Sequence, residues 1–142
     1  MRLSYAVWGA ALGYTQTPQF PVILPLGTSY TAQSPTLFKN IEYTEEEIWK
    51  EIERIATEAD GIKFSVGQQL YYQVHYFLNP QYLKDQEFEL LIEEYQLMES
   101  FKIPIAKSLN DAPAQKIRDF FIIKDELAFL QKNLSEKRRG KN

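Results

Sequence analysis

The sequence contains no cysteine and only one histidine, His75. The absence of cysteine excludes disulfides, thiolate metal sites and cysteine nucleophiles within the chain. A single histidine also excludes the usual zinc sites, and a Ser-His-Asp triad would have to use His75. We interpret His75 as an interfacial or hydrogen-bonded side chain, with a general base as the alternative. The sequence therefore predicts no metal site and no cofactor.

Motifs for phosphate binding and acid–base catalysis are also missing. The segment 8–13 contains small residues but lacks the lysine of a phosphate-binding loop. Acid–base hydrolysis needs two carboxylates that face each other across a cleft, and no pair is singled out by its spacing. We expect the runs of acids on solvated helix faces, so the chain is not predicted to be an enzyme. These runs are Glu45–Glu47, Glu93–Glu94 and Asp125–Glu126.

Acidic residues are absent from the first 41 positions, which instead carry six aromatic residues and four prolines. Prolines exclude a continuous helix and central strands, so residues 1–43 are predicted to form an extended or irregular arm. Val22–Leu24 and Leu26–Thr31 could each form a short strand within it. A segment of this length without regular structure is usually functional or a linker, and its aromatic content argues against a linker.

The apolar run Leu3–Gly13 near the start of the arm is short and follows a single positive charge. It lacks a clear cleavage site, so we do not expect secretion through a signal peptide. A membrane-spanning helix needs about 20 apolar residues, so no membrane association is predicted.

From residue 44 onward the pattern is helical. Thr44, Ser65, Asp85 and Asp111 are each placed to cap the start of an amphipathic helix, and Thr44 and Ser65 begin capping boxes. A strand is the alternative for residues 70–78, which are rich in β-forming side chains. The predicted fold is mainly α: a small antiparallel bundle of about four helices over residues 44–134, preceded by the arm.

The net charge of −3 conceals a strong asymmetry. Residues 42–100 carry 14 acids and four bases, so this part of the surface is unfavourable for a phosphate backbone. Residues 135–142 form a basic tail, interpreted as a frayed terminus or as a contact for polyanions. Nucleic acid is expected to bind, if at all, only through the basic side chains of this tail: Lys137, Arg138, Arg139 and Lys141.

The arm carries the functional hypothesis. Aromatic side chains bury a large area at low entropic cost, each contributing about 1.5–3 kcal/mol before the costs of association. The arm could wrap its own helices or dock on another protein subunit, and docking is the preferred interpretation. The predicted partner-binding residues are Tyr5, Trp8, Tyr14, Phe20, Tyr30 and Phe38.

The layout of an extended arm Met1–Tyr43, capped helices from Thr44 and a basic tail Ser135–Asn142 resembles small phage virion proteins of the neck, tail or baseplate. The resemblance implies a structural protein, in the virion or cytoplasm, whose arm and termini become ordered on assembly. Its expected partners are other protein subunits, in a homo- or hetero-oligomer. The alternative is a small helical adaptor that binds a peptide in a groove between its own helices.

Overall fold

The computed structural model describes residues 1–104 and 113–140. This part of the chain is mainly helical with one antiparallel pair of short strands, which confirms the predicted fold class. The elements in chain order are α1 (Arg2–Leu12), β1 (Tyr30–Gln33), β2 (Asn40–Tyr43), α2 (Glu45–Glu58), α3 (Val66–Gln73), two 3₁₀ turns (Val74–Tyr76 and Pro80–Leu83), α4 (Gln86–Phe101) and α5 (Ala114–Gly140).

Side-chain caps begin three of the helices, as predicted. Thr44 Oγ1 accepts a hydrogen bond from the Glu47 amide at 3.2 Å, and Ser65 Oγ accepts one from the Gln68 amide at 3.1 Å. Asp85 caps α4 in the same way. These caps satisfy amide groups that have no partner within the helix. The fourth predicted cap, Asp111, lies outside the described residues.

The first segment of the expected arm is a helix. Residues 2–12 form α1, and all residues from Leu3 to Gly9 are buried. This corrects the prediction of an extended arm over residues 1–43. The prolines that exclude a helix begin only at Pro18, and a helix that is apolar on every side can be stable when other helices surround it.

Helix α1 is central to the core. It packs against α3, α4 and α5. Tyr5 belongs to a hydrophobic cluster formed mainly with α2, the hairpin and residues 70–83. Leu3, Val7 and Trp8 belong to a second cluster with α4 and α5. The boundary expected at residue 44 therefore does not separate an arm from a body.

The strands form a hairpin further along the chain than expected. β1 and β2 pair with Tyr30 opposite Tyr43 and Gln33 opposite Asn40. Val22–Leu24 is not a strand, and only the end of the predicted strand Leu26–Thr31 lies in β1. One face of the hairpin packs on the core through stacking of Tyr43 on Phe77, with ring centroids 5.1 Å apart.

Two helical segments also differ from prediction. The helix expected through Leu78 ends as α3 at Gln73 and continues as a 3₁₀ turn. Helix α5 extends to Gly140, so residues 135–140 continue the helix and do not form a separate tail. Lys137 lies against the body: its Nζ is 3.1 Å from Tyr72 Oη and 5.5 Å from the centre of the Tyr72 ring.

Candidate interaction surface

The six aromatic residues predicted to bind a partner have very different surroundings. Tyr5 is 2% exposed and Trp8 is fully buried, both within the core of this chain. Tyr14, Phe20 and Tyr30 are partly buried against that core. Of the six, only Phe38 is largely exposed, at 79%. Five of the predicted docking side chains therefore pack within the chain.

Beyond Met1 and Leu12 at the two ends of α1, the exposed large apolar side chains in the first 43 residues lie in two places. Val22, Ile23 and Leu26 are exposed in the proline-containing loop, and Leu37 and Phe38 are exposed at the tip of the hairpin. The aliphatic side chains were not among the predicted contacts, because that prediction considered only aromatic residues.

The hairpin tip holds Phe38 in an unusual backbone conformation. The loop 34–39 is closed by hydrogen bonds from the Ser34 amide to the Lys39 carbonyl, 2.8 Å, and from the Phe38 amide to the Ser34 carbonyl, 3.0 Å. Phe38 has φ of 56°, in the left-handed region. That region costs roughly 1–2 kcal/mol for a residue with a side chain and is usually occupied by glycine in such loops.

A buried carboxylate fixes the base of this loop. Glu51 of α2 has no exposed surface. It accepts hydrogen bonds from Tyr43 Oη at 2.7 Å, from Arg54 Nε at 3.0 Å and from Thr36 Oγ1. Ser34 Oγ accepts bonds from the amides of Thr36 and Leu37. The hairpin tip is thus attached to α2 by a connected polar network.

The electrostatics of this network keep Glu51 ionised. Burial acts to raise the pKa of Glu51, but the surrounding hydrogen-bond donors, among them Thr36, Tyr43 and Arg54, outweigh it and lower the pKa from its ordinary value. The network therefore positions the loop and presents no proton for general acid catalysis near neutral pH.

Phe38 faces a second exposed aromatic residue across a cleft. The cleft has a volume of about 380 Å³ and is lined by Phe38, Tyr76, Pro35 and three polar residues. Tyr76 is 60% exposed and packs beside His75, with ring centroids 4.3 Å apart. Among the described residues, buried His75 Nδ1 has no hydrogen-bond partner.

A second buried carboxylate, Glu126 of α5, connects three helices. It accepts hydrogen bonds from Trp8 Nε1 at 3.0 Å, from the Gly67 amide at 3.3 Å and from Ser65 Oγ. Burial, the dominant effect, raises the pKa of Glu126, although these three donors act to lower it. No ion pair to Glu126 is formed by any described residue.

The expectation that the acidic runs lie on solvated faces is wrong for Glu126, and Glu51, which belongs to none of those runs, is buried as well. A usable signal was present, because each follows a buried isoleucine by three residues and precedes another buried apolar residue by four. This spacing places both carboxylates on the core face of their helices. What the spacing cannot indicate is which hydrogen-bond donors surround them.

Three of the four basic residues predicted to contact polyanions, Lys137, Arg138 and Arg139, lie in the last turns of α5. Lys137 and Arg138 are exposed, and the Lys137 ammonium group also contacts the Tyr72 ring. Lys141 lies outside the described residues.

Neither a metal cluster nor a membrane span is found in residues 1–104 and 113–140. No group of three or more histidine, aspartate or glutamate side chains in these ranges is arranged to hold a metal ion. The helices described there are all too short or too polar to cross a bilayer.

The features that could carry function are therefore an aromatic hairpin tip held by a buried network and a set of exposed apolar side chains. Comparison of the chain with protein-family models, with curated proteins and with solved structures gave no match.

Proposed function

We propose that this protein is a non-enzymatic assembly protein that docks into a larger protein complex through the tip of its β1–β2 hairpin. The observation that supports the proposal is Phe38, an aromatic side chain 79% exposed on a backbone with φ of 56°. Packing within the chain does not explain an aromatic residue here, and the backbone would be less strained with glycine.

The expected binding mode is insertion of Phe38 into an apolar pocket of another subunit. Tyr76 is exposed in the same cleft and extends the apolar area. The network around Glu51 holds the loop in place, so little conformational entropy is lost when the tip binds. A rigid aromatic anchor surrounded by polar residues is typical of residues that dominate binding energy at interfaces.

A phage virion is one setting for such a protein, although the extended arm and separate tail that suggested it are replaced by α1 and by the end of α5. In this proposal the hairpin tip replaces the whole arm as the docking element. An oligomer formed with the same chain or with a different one is compatible with it.

Site-specific cross-linking in the source cells tests the proposal. A photoreactive phenylalanine analogue at position 38 should cross-link to one defined protein subunit. The same analogue at the exposed position Lys132 of α5 provides the matched control. A cross-linking pattern that is the same at both positions would contradict docking through the tip.

Substitution of Phe38 separates docking from folding. Phe38→Gly removes the side chain and relieves the positive φ, so the variant should be at least as stable as the wild type yet absent from the complex. Phe38→Ala keeps the strained backbone and should be equally absent. Native mass spectrometry of the purified complex gives the stoichiometry, and full incorporation of both variants would reject the proposed role.

A further inference from the structure

Helix α4 has an apolar stripe on the side that faces solvent. Leu90, Leu97 and Phe101 are 56%, 49% and 68% exposed, respectively. Their spacing of seven and four residues puts them on one face of the helix, over about 16 Å of its length. Ile92 and Tyr95 bury the opposite face in the core. The helix is therefore apolar on two faces, of which the fold covers one.

The charges that α4 itself places beside this stripe are all negative. All five charged residues of α4 are glutamates, and they lie at positions 87, 89, 93, 94 and 99. Glu87 and Glu94 lie along one side of the stripe and Glu93 along the other, as the helical spacing requires. Glu94 forms an ion pair with Lys116 at 2.7 Å and Glu89 one with Lys84 at 4.0 Å. Exposed Glu87 and Glu93 form none with any described residue.

We propose that the outer face of α4 binds a basic amphipathic helix of another protein. Apolar side chains of that helix would pack on Leu90, Leu97 and Phe101, and its lysines and arginines would lie beside Glu87 and Glu93. This is the common arrangement in which a helix binds through one apolar face, with flanking charges that select the partner. The surface is separate from the hairpin tip, and the inference does not depend on the docking of Phe38.

The same negative charges disfavour binding of a second copy of α4, of nucleic acid or of an anionic membrane to this face. Two copies of α4 packed face to face would bring together six carboxylates, those of Glu87, Glu93 and Glu94 from each helix, which opposes a symmetric dimer. Nucleic acid and anionic membrane surfaces are also repelled by a helix that carries only negative side chains.

Binding of designed peptides tests the inference on the intact protein. The probe is a fluorescently labelled helix of about 18 residues, with leucines at positions one, eight and twelve and lysines elsewhere on its exposed faces. Two matched peptides have the same leucines with glutamate in place of lysine, or the same composition in scrambled order. Fluorescence anisotropy should detect saturable, salt-sensitive binding of the first peptide only.

Substitutions in α4 locate the binding surface. Leu97→Ser and Glu93→Lys should each weaken binding of the basic peptide at least about tenfold. Gln96→Ser changes an exposed residue of the same helix away from the stripe and should leave binding unchanged. All three sites are exposed, so unchanged melting temperatures are expected and would exclude loss of folding as the cause.

Three results would overturn the inference. The first is equal binding of the scrambled or acidic peptide, and the second is binding of the basic peptide that survives Leu97→Ser. The third is dimerisation in sedimentation experiments that is abolished by Leu97→Ser, which would assign the stripe to a second copy of this chain.

Discussion

The indole Nε1 of Trp8 donates a hydrogen bond of 3.0 Å to Glu126, a residue 118 positions later in the chain. Both side chains are buried, at 0% and 5% exposure. The bond joins α1 to α5, and Ser65 and Gly67 at the start of α3 donate to the same carboxylate. Because three helices meet at one acid, the stability of the fold should be sensitive to each of these residues.

Removal of α1 should unfold the rest of the chain. Deletion of residues 1–13 removes side chains from both hydrophobic clusters, including Tyr5 and Trp8. Loss of one large buried aromatic residue costs about 3–5 kcal/mol, against a total stability of about 5–15 kcal/mol for typical domains. Circular dichroism and chemical denaturation should show no cooperative transition. A chain ending at Lys137 is the control and should fold. A folded deletion variant would show that residues 1–13 are not needed for the core and form a separable arm.

The Trp8–Glu126 hydrogen bond should be measurable as a coupling energy. Trp8→Phe removes the donor and keeps most of the ring volume, while Glu126→Met removes the acceptor and keeps a side chain of similar length. Each variant and the double variant, unfolded in urea, give a double-mutant cycle. We expect coupling of about 0.5–3 kcal/mol, the range for residues in one buried network. Strictly additive effects would indicate that the bond does not contribute to stability.

Glu126 and Glu51 should have opposite effects on the pH dependence of stability. The pKa of Glu126 is raised in the folded protein, so the folded state binds a proton more tightly and stability falls as pH rises from the ordinary glutamate pKa through the raised value. Glu126→Gln should remove this fall and change stability little at neutral pH. Glu126→Ala should cost about 3 kcal/mol or more, because three buried donors lose their acceptor.

The pKa of Glu51 is lowered in the folded protein, so its stabilising effect is present above the ordinary glutamate pKa and is lost as pH falls through the lowered value. Glu51→Gln should therefore cost about 2 kcal/mol at neutral pH, and the difference from the wild type should shrink in acid. Urea unfolding from pH 3 to 8 measures both effects. Parallel pH profiles for the two variants would contradict the assigned pKa directions.

Gly67 should not tolerate a methyl group, although it lies in a helix. A Cβ atom there would overlap the main-chain oxygen of Ser4 and the carboxyl group of Glu126. Glycine to alanine in an exposed helix stabilises by about 1 kcal/mol, but overpacking here should destabilise by about 1–3 kcal/mol. Thermal unfolding of Gly67→Ala reports the sign. A higher melting temperature would show that α1 and α5 can move away from α3 without loss of stability.

The elements that sequence reasoning predicted well are those with local signals. Thr44, Ser65 and Asp85 mark helix starts because a side-chain cap satisfies amides within a few residues. Helix α1 has no such signal: its N-cap is Met1, without a side-chain bond, and the helix has no polar face. The helix is stabilised by packing against α3, α4 and α5. The pattern of residues 2–12 carries no information about these contacts.

The candidate site was predictable only in part. Phe38 was identified as a contact residue from its type, but its positive φ arises from the closure of the loop between Ser34 and Lys39. The sequence could not show whether Tyr5 and Trp8 are buried in the chain's own core or dock on a partner. An aromatic residue contributes equally to the composition of a core and of an interface. The spacing of Leu90, Leu97 and Phe101 places them on one face of α4. The spacing alone does not show whether that face points to solvent or to the core, and only the exposure of the three side chains does.

The central position of α1 means that the core cannot close during synthesis until α5 has been made. Helix α1 is made before the other described helices, and Glu126, the acceptor for its buried indole, follows 118 residues after Trp8. At a typical rate of 5–20 residues per second, about 6–24 s separate the two. Throughout that interval the apolar surface of Leu3–Gly9 lacks its α5 neighbour, so a nascent chain stalled before α5 should be sensitive to protease and should bind chaperones, and release of α5 should end both.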